Sequence, residues 1–140
     1  MSEILFTANA TAFGGLEGKV QSPDNMINMK TALPGSPSAE KLDNATNPEQ
    51  LFAAAYATCF DSALQIVANK EQMKFDSEVT ATVSLSEDDV GEGYQLAIHL
   101  QVKGNNIEKS QLEDLVQKAS QVWPYSEAKR KNMDFSLEVQ

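Results

Sequence analysis

The stretch NPEQLFAAAYATCFDSALQIVANK, residues 47–70, decides the fold. It predicts a helix, because Asn47 is a suitable N-cap, Pro48 suits the first helical position and Gln50 completes a capping box. Between its first and last turns only Asp61 carries a charge. Apolar residues therefore fall on nearly every face, which is typical of a helix that is buried all round. One chain of 140 residues has difficulty enclosing such a helix, so the pattern favours a homodimer.

The segments on either side of this helix read mostly as strands. Apolar and polar residues alternate in five of them, at residues 3–12, 26–33, 78–86, 93–103 and 133–139. Residues 14–18, GGLEG, are predicted to turn, residues 34–46 to form a loop and residues 87–93 to close a hairpin. A second helix is predicted from Glu108 to Val122, where Pro124 ends it. This order of elements predicts an α+β fold in a single domain, residues 1–140.

Charge and composition exclude several classes of partner. The net charge is -9, which repels nucleic-acid phosphates and anionic lipid, so we expect neither as a partner. The first residues contain no signal peptide, and no stretch approaches the roughly 20 apolar residues of a membrane helix. We therefore expect a cytoplasmic protein. One cysteine and one histidine cannot build the usual zinc site, so no metal is expected.

Cys59 and Glu49 are the first candidates for chemistry. A cysteine among alanines and aromatic residues is often a small core hydrophobe, and a reactive thiol would need a nearby cation to favour the thiolate. Glu49 suits the helix dipole as a first-turn carboxylate. Ten residues of helix span about 15 Å, so the two cannot touch within one straight helix. If they share a site, Glu49 comes from the partner chain.

The remaining candidates are weaker. His99 lies on the outward face of its strand, where a histidine is typically inert, which argues against a cysteine–histidine hydrolase. Trp123 and Tyr125 follow the second helix, where such residues typically cover the edge of a core or pack in an interface. Arg130 lies within a basic turn, which is either a solvated surface or a source of a cation for the thiolate.

One family combines these features. The sequence TNPEQLFAAAYATCF, Thr46–Phe60, resembles the signature of the organic hydroperoxide resistance (Ohr) proteins of the OsmC superfamily, which is close to TNPEQLFAAGYSACF. Further similarity lies at Ala8–Gly15, Asp24–Lys30 and Pro124–Asn132. The resemblance implies an intertwined homodimer, in which antiparallel sheets wrap around two central buried helices and a site forms on each side of the interface.

The resemblance also implies an activity. Members reduce organic and fatty-acyl hydroperoxides in the defence against oxidative stress, and the thiolate that matches Cys59 becomes a sulfenic acid. A second cysteine forms a disulfide with it, and a dithiol reduces that bond. This sequence departs twice from the pattern: Leu16 stands where the family has an arginine after Gly-Gly, and Trp123 stands where it has the second cysteine. A carboxylate without its cation disfavours a neighbouring thiolate, so slow chemistry is expected.

Three hypotheses follow. The first is a one-cysteine hydroperoxide reductase, in which Cys59 is peroxidatic, Glu49 orients it, and Lys19 or Arg130 replaces the missing cation. It needs an external dithiol and no cofactor. The second is a catalytically degenerate protein that binds an apolar ligand at the dimer interface, and the third is a thiol sensor that passes oxidation to another protein. The residues expected to line the pocket or interface are Leu16, Phe60, Trp123 and Tyr125.

Overall fold

A computed structural model of the chain describes residues 3–37, 44–87, 91, 93–123 and 133–140. They divide into two compact units, residues 1–48 and 49–140. The first holds strands β1 (Thr11–Phe13), β2 (Glu17–Gln21), β3 (Asn28–Ala32) and β4 (Ala45–Thr46). The second begins in the first turn of helix α1 (Pro48–Lys70) and also holds β5 (Asp76–Glu87), β6 (Tyr94–Asn105), helix α2 (Lys109–Val122) and β7 (Met133–Val139). That residues 1–140 form one domain stays a prediction.

The first unit is built on a sheet with the order β1-β2-β3-β4. The β1–β2 and β2–β3 pairs are antiparallel, and the β3–β4 pair is parallel. Gly14 and Gly15 make the β1–β2 turn at φ values of 86° and 65°, in the left-handed region that favours glycine. Ser22 anchors the β2–β3 turn: its hydroxyl donates to Asp24 Oδ1 at 2.6 Å and accepts from the Ile27 amide at 3.0 Å.

The sequence-based strand assignments were weakest in this unit. Residues 3–12 were predicted as a strand, but only Thr11–Phe13 pair, and residues 3–10 carry no regular structure. β2 was missed because its glycine, Gly18, was read as part of a turn. β4 was missed because two residues show no alternation and pair only through their register with β3. In each case the missing information was the partner strand rather than the local pattern.

The helix predictions are confirmed within one residue at each end. α1 begins at Pro48 and ends at Lys70, and α2 begins at Lys109 with Glu108 as its N-cap. A single chain covers only one face of α1. The opposite face exposes Ala54, Ala55, Thr58, Ser62 and Ile66. Burial of the helix on every face was expected with the help of a second chain, and it stays a prediction.

α1 also corrects an expectation about membranes. Its 23 residues are long and apolar enough to cross a bilayer by length and composition alone, although no such stretch was expected from the sequence. The buried face of α1 joins the core of its own unit, as the central helix of a soluble fold does. Its length is therefore weak evidence for a membrane location.

The second unit contains a sheet with the order β5-β6-β7 and a core shared by both helices. β5 and β6 form an antiparallel hairpin, whereas β6 and β7 are parallel. The sheets are thus mixed: the expected antiparallel pairs are present, and β3–β4 and β6–β7 are parallel in addition. The reason is that β7 enters after α2, which carries the chain back to the same end of the sheet. Fully buried side chains from α1, β6 and α2 meet in this core together with the residue that ends α2. The largest are Trp123, Tyr56, Phe60, Leu64, Ile98, Leu100, Leu112, Leu115 and Val102.

Candidate functional site

Cys59 lies in the middle of α1 as a free, half-buried thiol. Its side chain packs against the core cluster of the second unit. Mid-helix backbone groups are satisfied within the helix, so neither a helix N-terminus nor a free amide is available to stabilise a thiolate there. The thiol is therefore held in apolar surroundings, and a cation would have to come from elsewhere in the assembled protein.

An aromatic cluster surrounds the same part of α1. The Trp123 ring is 2% exposed. It meets Tyr56 edge-on at a centroid distance of 5.2 Å and Phe60 edge-on at 4.9 Å. Phe135 of β7 lies 5.8 Å away, and Phe52 stacks on Tyr56 at 4.9 Å. The position at which the family resemblance puts the second cysteine is thus filled by a packed indole, and Phe60 is wholly buried beside it.

Glu49 occupies the first turn of α1. Its Oε2 atom is buried, and no residue in the described part of the chain donates a hydrogen bond to it. A buried carboxylate oxygen without a donor is costly. Because α1 runs unbroken from Pro48 to Lys70, Glu49 and Cys59 lie about 15 Å apart along the axis. One chain therefore does not bring these two side chains into a single site.

The candidates of the first unit lie around the β1–β2 turn. Leu16 is 65% exposed, and its carbonyl accepts a hydrogen bond from the Leu33 amide at 3.0 Å. The Lys19 ammonium lies 5.4 Å from the centroid of the Phe13 ring, a cation–π contact with its cross-strand neighbour. Lys30 is the partner of Lys19 on β3. The role of Lys19 as a surrogate cation stays a prediction, as does that of Leu16.

Two predicted site residues, Tyr125 and Arg130, lie outside the described residues. Among the described residues no group of three or more histidine, cysteine, aspartate or glutamate side chains could hold a metal ion.

His99 has a partner that the sequence did not reveal. Its Nδ1 lies 2.5 Å from Ser136 Oγ, its direct neighbour in the β6–β7 register. The two residues line a shallow surface cleft of about 230 Å³, together with Thr82, Ser84 and Asp134. The partner was hidden because the parallel placement of β7 cannot be read from its alternation. The expectation that His99 is inert stays a prediction.

The only charge in the middle of α1 also has partners across the fold. Asp61 Oδ1 accepts a hydrogen bond from Ser77 Oγ at 2.5 Å, and Ser77 Oγ accepts one from Gln65 Nε2 at 2.8 Å. The sequence marked Asp61 as an isolated charge. It gave no sign of Ser77, since that contact depends on how β5 packs beside α1.

The comparisons with known proteins agree with one another. The pattern of the OsmC-like protein family matches residues 40–138. The chain belongs to this family. It is 56% identical to the organic hydroperoxide resistance protein OhrA of Bacillus subtilis, over 99% of each chain. It is 38% identical to OhrB of the same organism, over 96% of this chain and 98% of that protein.

Solved structures of family members match the fold. The crystal structure of Bacillus subtilis OhrB gives a TM-score of 0.87 at 38% identity, covering 98% of this chain and 100% of that one. A Legionella pneumophila organic hydroperoxide resistance protein gives 0.84 at 38% identity, covering 99% of each chain. The predicted α+β, OsmC-like fold is confirmed, and so is the resemblance to the organic hydroperoxide resistance proteins. The roles assigned to Cys59 and Glu49 stay predictions.

Proposed function

We propose that this chain reduces organic hydroperoxides, fatty-acyl or alkyl, with the thiol of Cys59, as a one-cysteine enzyme of oxidative-stress defence. Its similarity to organic hydroperoxide resistance proteins over nearly the whole chain supports a role in detoxifying such peroxides. The observation that carries the chemistry is Cys59 itself, a free thiol, half-buried against an aromatic and aliphatic cluster. Apolar walls favour a hydroperoxide with a hydrocarbon chain or ring.

The reaction has two stages. The Cys59 thiolate attacks the terminal oxygen of the hydroperoxide, the O–O bond breaks, and the departing alkoxide takes a proton to leave as an alcohol. Cys59 is then a sulfenic acid. One thiol of an external dithiol attacks that sulfur and releases water, which forms a mixed disulfide. The second thiol of the same reductant releases Cys59 and closes its own disulfide. No cofactor takes part.

Glu49 orients the site in this proposal and requires a cation. Its buried Oε2, which has no donor among the described residues, supports a positively charged partner in the assembled protein. Lys19 and Arg130 are the two candidates. A lysine binds as a point charge, whereas the arginine that the family resemblance implies offers a planar fork, so we expect slow turnover with a lysine surrogate.

The assembly that we propose is a cytoplasmic homodimer. The separation of about 15 Å between Glu49 and Cys59 along one helix is bridged when each chain contributes one of them to a shared site. Large apolar side chains are also left uncovered by a single chain, among them Leu5 at 93% and Phe6 at 84% exposure. A second copy would bury such surface. Analytical ultracentrifugation at micromolar concentration tests this, and a monomer would refute it.

A peroxide assay tests the activity. The protein is incubated with cumene or linoleic hydroperoxide and an excess of dithiol, and peroxide loss is followed alongside the mass of the Cys59 peptide. We expect turnover in the parent protein and none in Cys59→Ser. Glu49→Gln should slow turnover without abolishing it, because the amide keeps the shape but not the charge. No peroxide loss and no added oxygen on Cys59 would refute the proposal.

A second function is favoured by the packing of Trp123. Trp123, a fully buried indole, stands where the family resemblance implies the second cysteine, and Leu16 stands where it implies the arginine. Loss of both residues fits a protein that binds an apolar ligand at the dimer interface without turnover. Calorimetric titration with a fatty acid distinguishes the two functions. Tight binding without turnover favours the binding protein, whereas turnover that is lost in Cys59→Ser favours the reductase.

A further inference from the structure

A hydrogen-bonded network fastens one flank of α1 to the start of β5. Ser77 Oγ donates to Asp61 Oδ1 at 2.5 Å. Gln65 Nε2 donates to Ser77 Oγ at 2.8 Å and reaches the Phe75 carbonyl at 3.4 Å. Asp61, Gln65 and Ser77 are all half-buried. The network therefore joins two successive turns of the helix to one point on the sheet.

The chemistry of the network makes it rigid. Asp61 is the only charged residue between the first and last turns of α1, and a partly buried carboxylate is stable only with hydrogen-bond donors. A hydroxyl that donates to a carboxylate forms one of the shorter and stronger hydrogen bonds in proteins. Ser77 uses its single proton on Asp61, so its oxygen is free to accept from Gln65. Each member thus fixes the geometry of the next.

Cys59 and Asp61 lie on opposite flanks of the buried face of α1. Two residues of helix correspond to a rotation of about 200°. Phe60, between them in sequence, points into the core and is wholly buried. Cys59 is half-buried at one margin of this face and Asp61 is half-buried at the other. Any rotation of the helix that releases Asp61 from β5 must change the exposure of Cys59.

We propose that the Asp61–Ser77–Gln65 network is a positioning device that sets the rotation of α1 and thereby the presentation of the Cys59 thiol. Its relevance to catalysis rests on the proposed function of Cys59. A side-chain tip lies about 5–6 Å from the helix axis, so a rotation of about 20° moves it by about 2 Å. Reacting groups must be held within about 0.5 Å of their productive geometry, so a shift of this size would move the Cys59 thiol out of that geometry.

Alkylation of Cys59 tests the device without any peroxide. Cys59 is the only cysteine of the chain, so the rate at which iodoacetamide adds to the intact protein, followed by mass, reports on that thiol alone. We expect alkylation of Ser77→Ala to be slower by about three-fold or more, because Asp61 without its donor turns toward solvent and the same rotation carries Cys59, on the opposite margin, toward the core. A less exposed thiol reacts more slowly. Ser77→Thr, which keeps the hydroxyl, should return the rate to within about 1.5-fold of the parent.

Two control variants separate positioning from general destabilisation. Ser86→Ala removes an exposed hydroxyl from the same strand and should leave the rate unchanged. Val79→Ala removes a side chain that packs against the core cluster but leaves the network intact, so it should lower the melting temperature without reproducing the slower alkylation. An unchanged or faster rate in Ser77→Ala would overturn the proposal. So would an equal slowing in Val79→Ala.

The results that would refute the proposed function differ from those that would refute the positioning role of the network. A parent protein that leaves hydroperoxides unreduced, while its alkylation rate still responds to Ser77→Ala, would refute the reductase and retain the positioning device. If the parent does turn over peroxide and Ser77→Ala alters neither the alkylation rate nor kcat/KM, the reductase activity is supported and the positioning role of the network is refuted.

Discussion

Trp123→Ala tests the packing around Cys59 most directly. The indole is 2% exposed and has three aromatic neighbours within 6 Å, Tyr56, Phe60 and Phe135. Truncation of a buried tryptophan to alanine costs about 3–5 kcal/mol, and edge-on ring pairs add to the area term. We therefore expect the free energy of unfolding to fall by about 4 kcal/mol. For a chain of this size that corresponds to a melting temperature lower by about 12 °C.

The assay is urea unfolding followed by circular dichroism at one fixed protein concentration, because a change of assembly would otherwise alter the midpoint. Trp123→Phe keeps a ring in the cluster and should lose only about 1–2 kcal/mol. Tyr94→Ala is the matched control on a 70% exposed aromatic residue, and its effect should stay within about 0.5 kcal/mol. A loss below about 2 kcal/mol in Trp123→Ala would refute a role for Trp123 as the centre of the core.

Three further predictions follow. Leu16→Arg should raise hydroperoxide turnover about tenfold, and Leu16→Lys should raise it less, since lysine lacks the planar fork of arginine. Equal turnover in the parent and both variants would refute the idea that a missing cation limits the rate. Gly18→Ala should lower the free energy of unfolding by more than about 2 kcal/mol, because the added Cβ would overlap the Phe13 carbonyl. Gly93→Ala is the control, since its Cβ would meet open space, and equal melting temperatures of the two variants would contradict the prediction. Hydrogen bonds from Gln101 and then Gln140 lower the pKa of Glu138 below 4.5. The ionised Glu138 therefore stabilises the fold above its ordinary pKa, and this stabilisation is lost as the pH falls through the lowered pKa. The difference in free energy of unfolding between the parent and Gln101→Ala should disappear in acid, and a difference that does not change with pH would refute the prediction.

The helices could be predicted from the sequence because their signals are local. Pro48 at the first helical position and the apolar stripe of α2 each lie within a few residues of the end or face that they define. Two strands of the first unit, β2 and β4, could not be predicted, since they are strands only through their partners. The same holds for β7, whose alternation predicted a strand but not that it would run parallel to β6.

In the candidate site too, some features could be predicted from the local sequence and others depend on packing between elements. Cys59 and Glu49 could be named from the sequence, and their separation along the helix follows from its rise per residue. The buried Oε2 of Glu49 and the bond from Ser77 to Asp61 could not. Both depend on what packs beside α1, which no periodicity in the chain reports.

The two departures from the family pattern affect different steps of the proposed reaction and differ in how easily they can be reversed. Leu16 is exposed, so its replacement leaves the core intact, and in the proposed reaction a cation there would act on formation of the thiolate. Trp123 is part of the core, and Trp123→Cys would give up the ring contacts that Trp123→Ala tests, a loss of about 4 kcal/mol. Natural domains have only about 5–15 kcal/mol of stability in all. A second cysteine at this position, which the family resemblance implies, would therefore endanger the fold, and the proposed reaction assigns resolution of the sulfenic acid to an external thiol.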